Sequence, residues 1–419
     1  MNPTTKFLTL LSLIISGEVI FFLPFVFPRI FKPTILEVFQ ISNTELGFYF
    51  SVYGIVAIGS YFFGGPLADR CSPRALMTLA LVLTGLGGVC LSFIPAAGAM
   101  FWLYGFWGMT TILLFWSSLL RTTRLLGGES SQGKAFGILD GGRGLVAALV
   151  SVAGIFILAA FLPKGGGESS LEAKEEALKN VIWFFTAMVL LTAVIVYLVL
   201  SKLEENKEFL HRSTIGFSQV KQVVKMPEVW LQAVIILCAY SGYRVTDDFS
   251  LLASDILGYS DVDAAKLGSV AMWIRPLVAV LAGLTADRFK ASSVSVFCFL
   301  SMIVGGLLMV FPPSGSYSYA LIMIVVSSTC LGIYAMRGLY FAIMGEAKIP
   351  LAVTGTVVGL ASVVGYLPDV FMAPLMGYFL DKHAGLALGH QYVFGLLIGF
   401  AILGIIATLA FKKLTKESV

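Results

Sequence analysis

"GGPLADRCSPR", residues 64–74, closes one long apolar run, and "AGLTADRFKASS", residues 282–293, closes another. Each has a glycine, then Ala-Asp-Arg, then small or basic residues before the next apolar run begins. Asp69 and Asp287 stand about half the chain apart. Such a repeat predicts two halves of the same topology, related by an axis along the membrane normal, a plan used by many secondary transporters.

The composition carries the same reading outward. Of 419 residues, 58% are hydrophobic and 12% charged, against about 25% charged in ordinary soluble domains. Apolar runs of about 20 residues, enough to cross a bilayer as a helix, recur along the whole chain. A β-barrel is excluded, since its strands are about 10 residues long and alternate in polarity. The expected fold is therefore all-α and integral to the membrane. About twelve spans are expected, over roughly 7–31, 44–66, 75–95, 99–122, 135–162, 180–201, 228–254, 264–286, 292–312, 318–343, 351–379 and 390–411.

Lys and Arg fall mainly in alternate connections, among them Arg70, Arg74, Arg121, Lys134, Lys202, Arg288, Lys348 and Lys412. The other connections hold only Lys32, Lys164, Lys174, Lys179 and Lys382. By the positive-inside rule both termini are expected in the cytoplasm, with the protein in the cell (inner) membrane. The first run lacks a small-residue cleavage site and reads as a span, not a removable signal. Residues 163–180 read as an outside loop with a short polar helix. Residues 202–227 read as a cytoplasmic linker between an N-terminal half, 1–201, and a C-terminal half, 228–419. The later part of that linker reads as a solvated connection or a helix lying on the membrane surface.

Other classes find no support. The net charge of +4 is spread over short loops, with no basic arm for nucleic acid. The five cysteines show no metal-ligand spacing, and His211, His383 and His390 lie in loops or span ends without clustering. No phosphate-binding loop is present, so no ATP-driven step, no enzyme activity, no cofactor and no metal is expected. The expected partners are the bilayer and a small molecule, with the chain acting as a monomer.

The stretch around Asp69 has a readable job. Gly65 permits close helix packing, and Asp69, next to Arg70 and Arg74, can accept hydrogen bonds from a neighbouring helix N-terminus, latching one end of the bundle. Asp287 and Arg288 repeat the arrangement. "GGPLADRCSPR" resembles the signature after the second helix of the major facilitator superfamily, G-x-L-(A/S)-D-R-x-G-(R/K)-(R/K), with Pro66 and Ser72-Pro73 as departures. The resemblance implies two six-helix halves rocking about a central site.

Within that superfamily, "LADRCSPRALM" and "TGTVVGLASVVGYLPDVFMAPLMGYFLD", residues 354–381, resemble the organophosphate:phosphate antiporters and their uncharacterised bacterial relatives. That likeness implies an anion site built by the first, fifth and seventh helices. The first-helix arginine of the group falls near Val26, with Arg29 one turn on. Its seventh-helix arginine falls within one position of Arg244, and its fifth-helix histidine falls on Arg143. An anion site is thus implied in character, but not residue for residue.

Charges inside spans point the same way. A charge at the centre of a span costs about 2.5–3.5 kcal/mol on insertion scales, so it persists where it faces a cavity or a partner. Arg143, in "KAFGILDGGRGLVAALV", stands three residues from Asp140 and among glycines. Arg244, Arg275, Arg29 and Arg337 are further candidates for substrate contact, with Tyr243 as a hydrogen-bonding neighbour. Asp369 and Glu18 are lone acids in apolar runs and candidates for carrying a coupling proton. Asp140 reads as structural. Asp247 and Asp248 read as partners of Arg244 or as gating carboxylates near the outer mouth. The expected function is secondary transport of a small organic anion, phosphorylated anions included. The alternatives are a proton-coupled carrier of a neutral or zwitterionic solute and a transporter-like sensor.

Overall fold

A computed structural model of the chain describes residues 3–127, 132–162, 169–204, 223–313, 315–339, 343, 346–347 and 354–417. Twelve long helices run through it. They are α1 (Thr4–Ile30), α2 (Asn43–Arg70), α3 (Pro73–Leu91), α4 (Ala97–Thr123), α5 (Gln132–Phe161), α6 (Leu171–Glu204), α7 (Pro227–Leu257), α8 (Asp261–Arg288), α9 (Ala291–Val310), α10 (Tyr319–Leu339), α11 (Gly359–Lys382) and α12 (Ala387–Glu417). All but α8 contain a stretch long and apolar enough to cross a membrane; α8 runs for 28 residues but carries Arg275 and five further charged side chains along its length.

Local signals set the helix starts. Ser42 and Glu45 form a capping box at the head of α2, each side chain bonding the other's backbone N–H, at 3.1 and 2.8 Å. The Ser72-Pro73 departure has the same purpose. Ser72 Oγ accepts from the Ala75 N–H at 3.1 Å and Pro73 occupies the first turn of α3, where it lacks no needed donor. Ser260 caps α8, directly after Gly258 ends α7 in the left-handed region with φ 64°.

Two expectations about connections change. The polar helix expected as part of an outside loop is the beginning of α6, which continues unbroken from Leu171. Its Lys174 and Lys179 are therefore fixed on that helix. The linker, with His211 and its proposed surface helix, falls mostly outside the described residues, as does Lys164.

Two hydrophobic cores form, one mainly from residues of α1–α6, with Ala265 of α8 joining it, and one from residues of α7–α12. Between these groups the tightest seam joins α2 to α11. A Cβ on Gly47 would lie 2.6 Å from the Ala373–Pro374 backbone, and one on Gly377 would lie 2.5 Å from the Asn43 carbonyl oxygen. Glycine there lets the two backbones touch, and Ser51 Oγ donates to the Val370 carbonyl across the same seam.

The seam ends in a charged closure at the end of the bundle away from the termini. The Asp381 carboxylate of α11 accepts from the N–H groups of Asn43 and Thr44 at 2.9 and 2.7 Å, and from both their side chains. It thereby caps α2, where the helix dipole favours an anion. Nearby, Lys174 pairs with Glu37 and with Asp261 at 3.1 Å, and Thr34 donates to Asp261 at 2.9 Å. Hydrogen bonds to a charged group contribute about 1.5–3 kcal/mol. Asp381→Ala is therefore expected to raise the ratio of open to closed forms at this end about ten- to a hundredfold, read by spin-label distances between the ends of α2 and α11.

Candidate functional site

Four helices lose their regular course. α1 contains a π-helical turn at Phe22–Val26, around Pro24. α4 has one at Met109–Trp116. α7 passes through a 3-10 turn at Thr246–Asp248. α11 breaks between Gly365 and Pro368. Irregular backbone at membrane depth is tolerated where it is buried in protein or lines a polar cavity, and π turns favour functional sites. Phe25, Trp116 and Tyr366, in these irregular segments, all line one cavity of about 90 Å³ between the two helix groups. The sequence reading expected these spans as continuous; Pro24 and Pro368 are the signals that mark two of the breaks.

The same cavity brings together Glu18, Arg29, Arg143, Arg244, Arg275, Arg337 and Asp369, with Tyr240 and Tyr243. Every intramembrane arginine singled out from the sequence is present. The charges form two linked sets. In the first, Glu18 of α1 lies 3.0 Å from Arg143 and 3.1 Å from Arg275, while Asp140 lies 2.9 Å from Arg275 and 3.8 Å from Arg143. In the second, Asp247 lies 2.6 Å from Arg29 and 3.1 Å from Arg244, and Asp369 lies 3.8 Å from Arg244. Tyr240 donates to Asp369 at 3.0 Å, and Arg29 donates to the Tyr243 hydroxyl at 2.8 Å.

The sets cross the interface in opposite directions. Arg275 of α8 inserts between Glu18 and Asp140 of the first group, and Arg29 of α1 inserts onto Asp247 of the second. Arg29 is 2% exposed, so it is no interfacial snorkeller. The Tyr243 ring lies between two guanidiniums, Arg29 at 4.5 Å and Arg337 at 4.2 Å. Arg244 lies 4.7 Å from the Phe50 ring and 5.2 Å from Phe25, contacts that favour a desolvated cation. Although ion-paired, Arg244 has no guanidinium nitrogen aligned on an acceptor, and Arg29 Nη2 also lacks one.

Asp247 and Asp248, paired in the sequence reading, part company. Asp248 points away from the cavity, to Lys32 at 3.4 Å and His390 Nδ1 at 2.7 Å. The other ring nitrogen of His390 meets Asp255 at 3.1 Å. His390 is fully buried, so a residue expected at an unremarkable span end is the centre of a polar cluster. The spacing of Lys32, Asp255 and His390 in the sequence carries no pattern that would mark them as a cluster. Among the described residues no group of three or more His, Cys, Asp or Glu side chains is arranged to hold a metal ion.

At the terminal end, Arg70 and Arg288 are exposed and Arg74 lies over the Tyr197 ring at 3.8 Å. Arg121 donates to the Ala68 carbonyl, tying α4 to α2 beside the motif. The side chains of Asp69 and Asp287 lie outside the described residues.

A bundle of paired helix groups closed around broken helices and intramembrane charges defines a membrane transporter. Residues 11–368 match the family model for the Major Facilitator Superfamily, and the chain belongs to that family. It is similar to two Escherichia coli K12 proteins. Inner membrane protein YqcE is 29% identical, over 99% of this chain and 96% of its own length. Inner membrane protein YihN is 27% identical, over 98% and 96%. The crystal structure of a bacterial homolog to the human lysosomal transporter Spinster, inward-facing and unoccupied, has the same fold, with a TM-score of 0.73 at 15% identity, covering 99% of this chain and 98% of that one.

Removing one member of a buried ion pair strands the other, at about 3–5 kcal/mol. Arg275→Met is accordingly expected to lower the melting temperature of the detergent-purified protein sharply. Asp140 is then left with Arg143 at 3.8 Å, so Asp140→Asn added to Arg275→Met recovers part of the loss; no recovery would show that the Arg275–Asp140 pair does not set the stability.

Proposed function

We propose that this chain is a secondary transporter of a small organic anion, phosphorylated anions among them, working by alternating access. One observation carries the reading: Arg244 is fully buried at the cavity, yet none of its guanidinium nitrogens is aligned on an acceptor. Buried donors in this state suit a ligand that brings acceptors, and a guanidinium fork suits a carboxylate or phosphate bidentately. Arg29 Nη2, aimed from the opposite helix group, supplies a second donor. The likeness of Arg143 and Arg244 to the ligand positions of the organophosphate:phosphate antiporters supports the same reading.

The cavity volume matches roughly three water molecules at about 30 Å³ each, room for an anionic head but not for a larger organic body. Substrate entry therefore requires the two helix groups to part. With both termini in the cytoplasm, as the Lys and Arg distribution supports, the Asp381 and Lys174 contacts close the outside. Asp69, Arg70, Arg74, Asp287 and Arg288 then act at the cytoplasmic end, and the protein works as a monomer.

A second reading, a neutral or zwitterionic solute, draws on the pairing of Arg29, Arg143 and Arg275 with carboxylates, which leaves little need for an anion. Thermal-shift and proteoliposome uptake assays with gluconate, succinate, glycerol 3-phosphate, glucose and a dipeptide separate the two. Binding of an anion, weakened at least tenfold by Arg244→Ala, is the expected result. Binding confined to the uncharged or zwitterionic probes, unaffected by Arg244→Ala, would overturn the anion reading.

A further inference from the structure

The end of the bundle away from the termini holds a second buried charge cluster, apart from the cavity and centred on His390 of α12. Asp248 of α7 meets one cation from each helix group. Lys32, just past the end of α1, lies 3.4 Å from its Oδ1, and His390 Nδ1 lies 2.7 Å from its Oδ2. Asp255, further along α7, lies 3.1 Å from His390 Nε2. Beside them the Ser250 hydroxyl donates to the Arg29 carbonyl at 2.8 Å, so the boundary between the two groups runs through this point.

A neutral imidazole has one N–H and one lone pair. Here both ring nitrogens face carboxylate oxygens at hydrogen-bond distance, so each contact needs its own proton. The cluster therefore holds one proton more than a neutral imidazole with two carboxylates. That proton sits on the ring, as imidazolium, or on a carboxylate beside it. With it, Lys32, His390, Asp248 and Asp255 sum to zero charge. Without it, one carboxylate faces a lone pair and the four carry one negative charge.

Neighbouring groups are engaged elsewhere. Arg29 and Asp247, next to the cluster along the chain, pair with each other at 2.6 Å. Asp261 of α8 pairs with Lys174. α9 brings no charged side chain. On α11, Asp381 caps α2, Lys382 lies 5.7 Å from the Tyr378 ring, and His383 stacks on Tyr392 at 5.4 Å. Tyr317 bonds Gln391, not His390.

We propose that this cluster is a proton-operated latch on that end of the bundle. With the proton bound, the helix groups part more readily; without it, Lys32 is held harder and the end stays shut. The latch rests on alternating access, not on the charge of the solute. Lys32 is the cluster's one member from the first helix group, so parting the groups takes it away from Asp248. Its attraction to the cluster grows when the proton leaves, because a neutral set becomes an anionic one. Linkage makes this reciprocal: docking Lys32 loosens the proton, and withdrawing Lys32 tightens it. Asp255, partly exposed near the end of α7, gives the proton its route to water. Rising pH therefore favours the closed form at this end, and falling pH the open one.

The test uses the full chain in lipid nanodiscs, with spin-label distances between the ends of α2 and α11 followed from pH 6 to pH 9. The ratio of open to closed forms is expected to fall about threefold or more over that range. His390→Gln removes the titrating ring, and the ratio stays low and flat. Lys32→Gln leaves α7 and α12 intact, and the ratio is higher and equally flat. The second variant decides the matter even if the first does not fold. A wild-type ratio that is flat or rises with pH, or a slope retained in either variant, overturns the latch while leaving alternating access standing. One unchanging distance at every pH, in Asp381→Ala as well, overturns alternating access at this end and the latch with it.

Discussion

Arg275 and Arg29 each leave their own helix group and enter the carboxylates of the other. This reciprocal exchange is the constraint on which the closed form depends. A guanidinium in a bilayer is tolerable only with a partner or a wet cavity. Here the partners of Arg275, Glu18 and Asp140, lie across the interface. Those of Arg29 do so too, at Asp247 and Tyr243. Parting the groups breaks both crossings at once, so separation must be accompanied by water or by a ligand that replaces the lost contacts. The charges around the cavity thereby also hold the two helix groups together.

Backbone irregularity and charge coincide for a related reason. A regular helix satisfies its own N–H and C=O groups and presents only side chains. A π turn, a 3-10 turn or a break after a glycine exposes backbone and redirects side chains, which is affordable only where neighbouring helices or a cavity accept the polar groups. The turns in α1 and α7 split their charged neighbours. Asp247 pairs with the cavity arginines Arg29 and Arg244, while the adjacent Asp248 meets Lys32 and His390. One step of chain thus separates a carboxylate paired with the cavity arginines from one paired with Lys32 and His390.

The α2–α11 seam shows how packing complements this. Gly47, Gly54 and Gly377 remove the Cβ atoms that would hold the backbones apart, so the helices touch from the cavity to the end where Asp381 caps α2. Without an apolar driving force between helices inside lipid, close van der Waals contact and polar bonds are what holds such a seam.

The twelve helices were legible in the sequence because apolar run length and charged punctuation report directly on bilayer solvation, and the paired Ala-Asp-Arg stretches marked the repeat. The intramembrane arginines and acids stood out for the same reason, since a charge in an apolar run is costly wherever it sits. Lys32, Asp255, His390 and Asp381 did not, because near a span end a polar residue is unremarkable and only its neighbours reveal burial. Which arginine pairs with which carboxylate was likewise undetermined: Arg244 had Asp247, Asp248 and Asp369 all within plausible reach along or across helices. Chain sequence fixes helix faces through local periodicity, but partners on other helices are chosen by how the helices rotate and cross, which only tertiary packing decides.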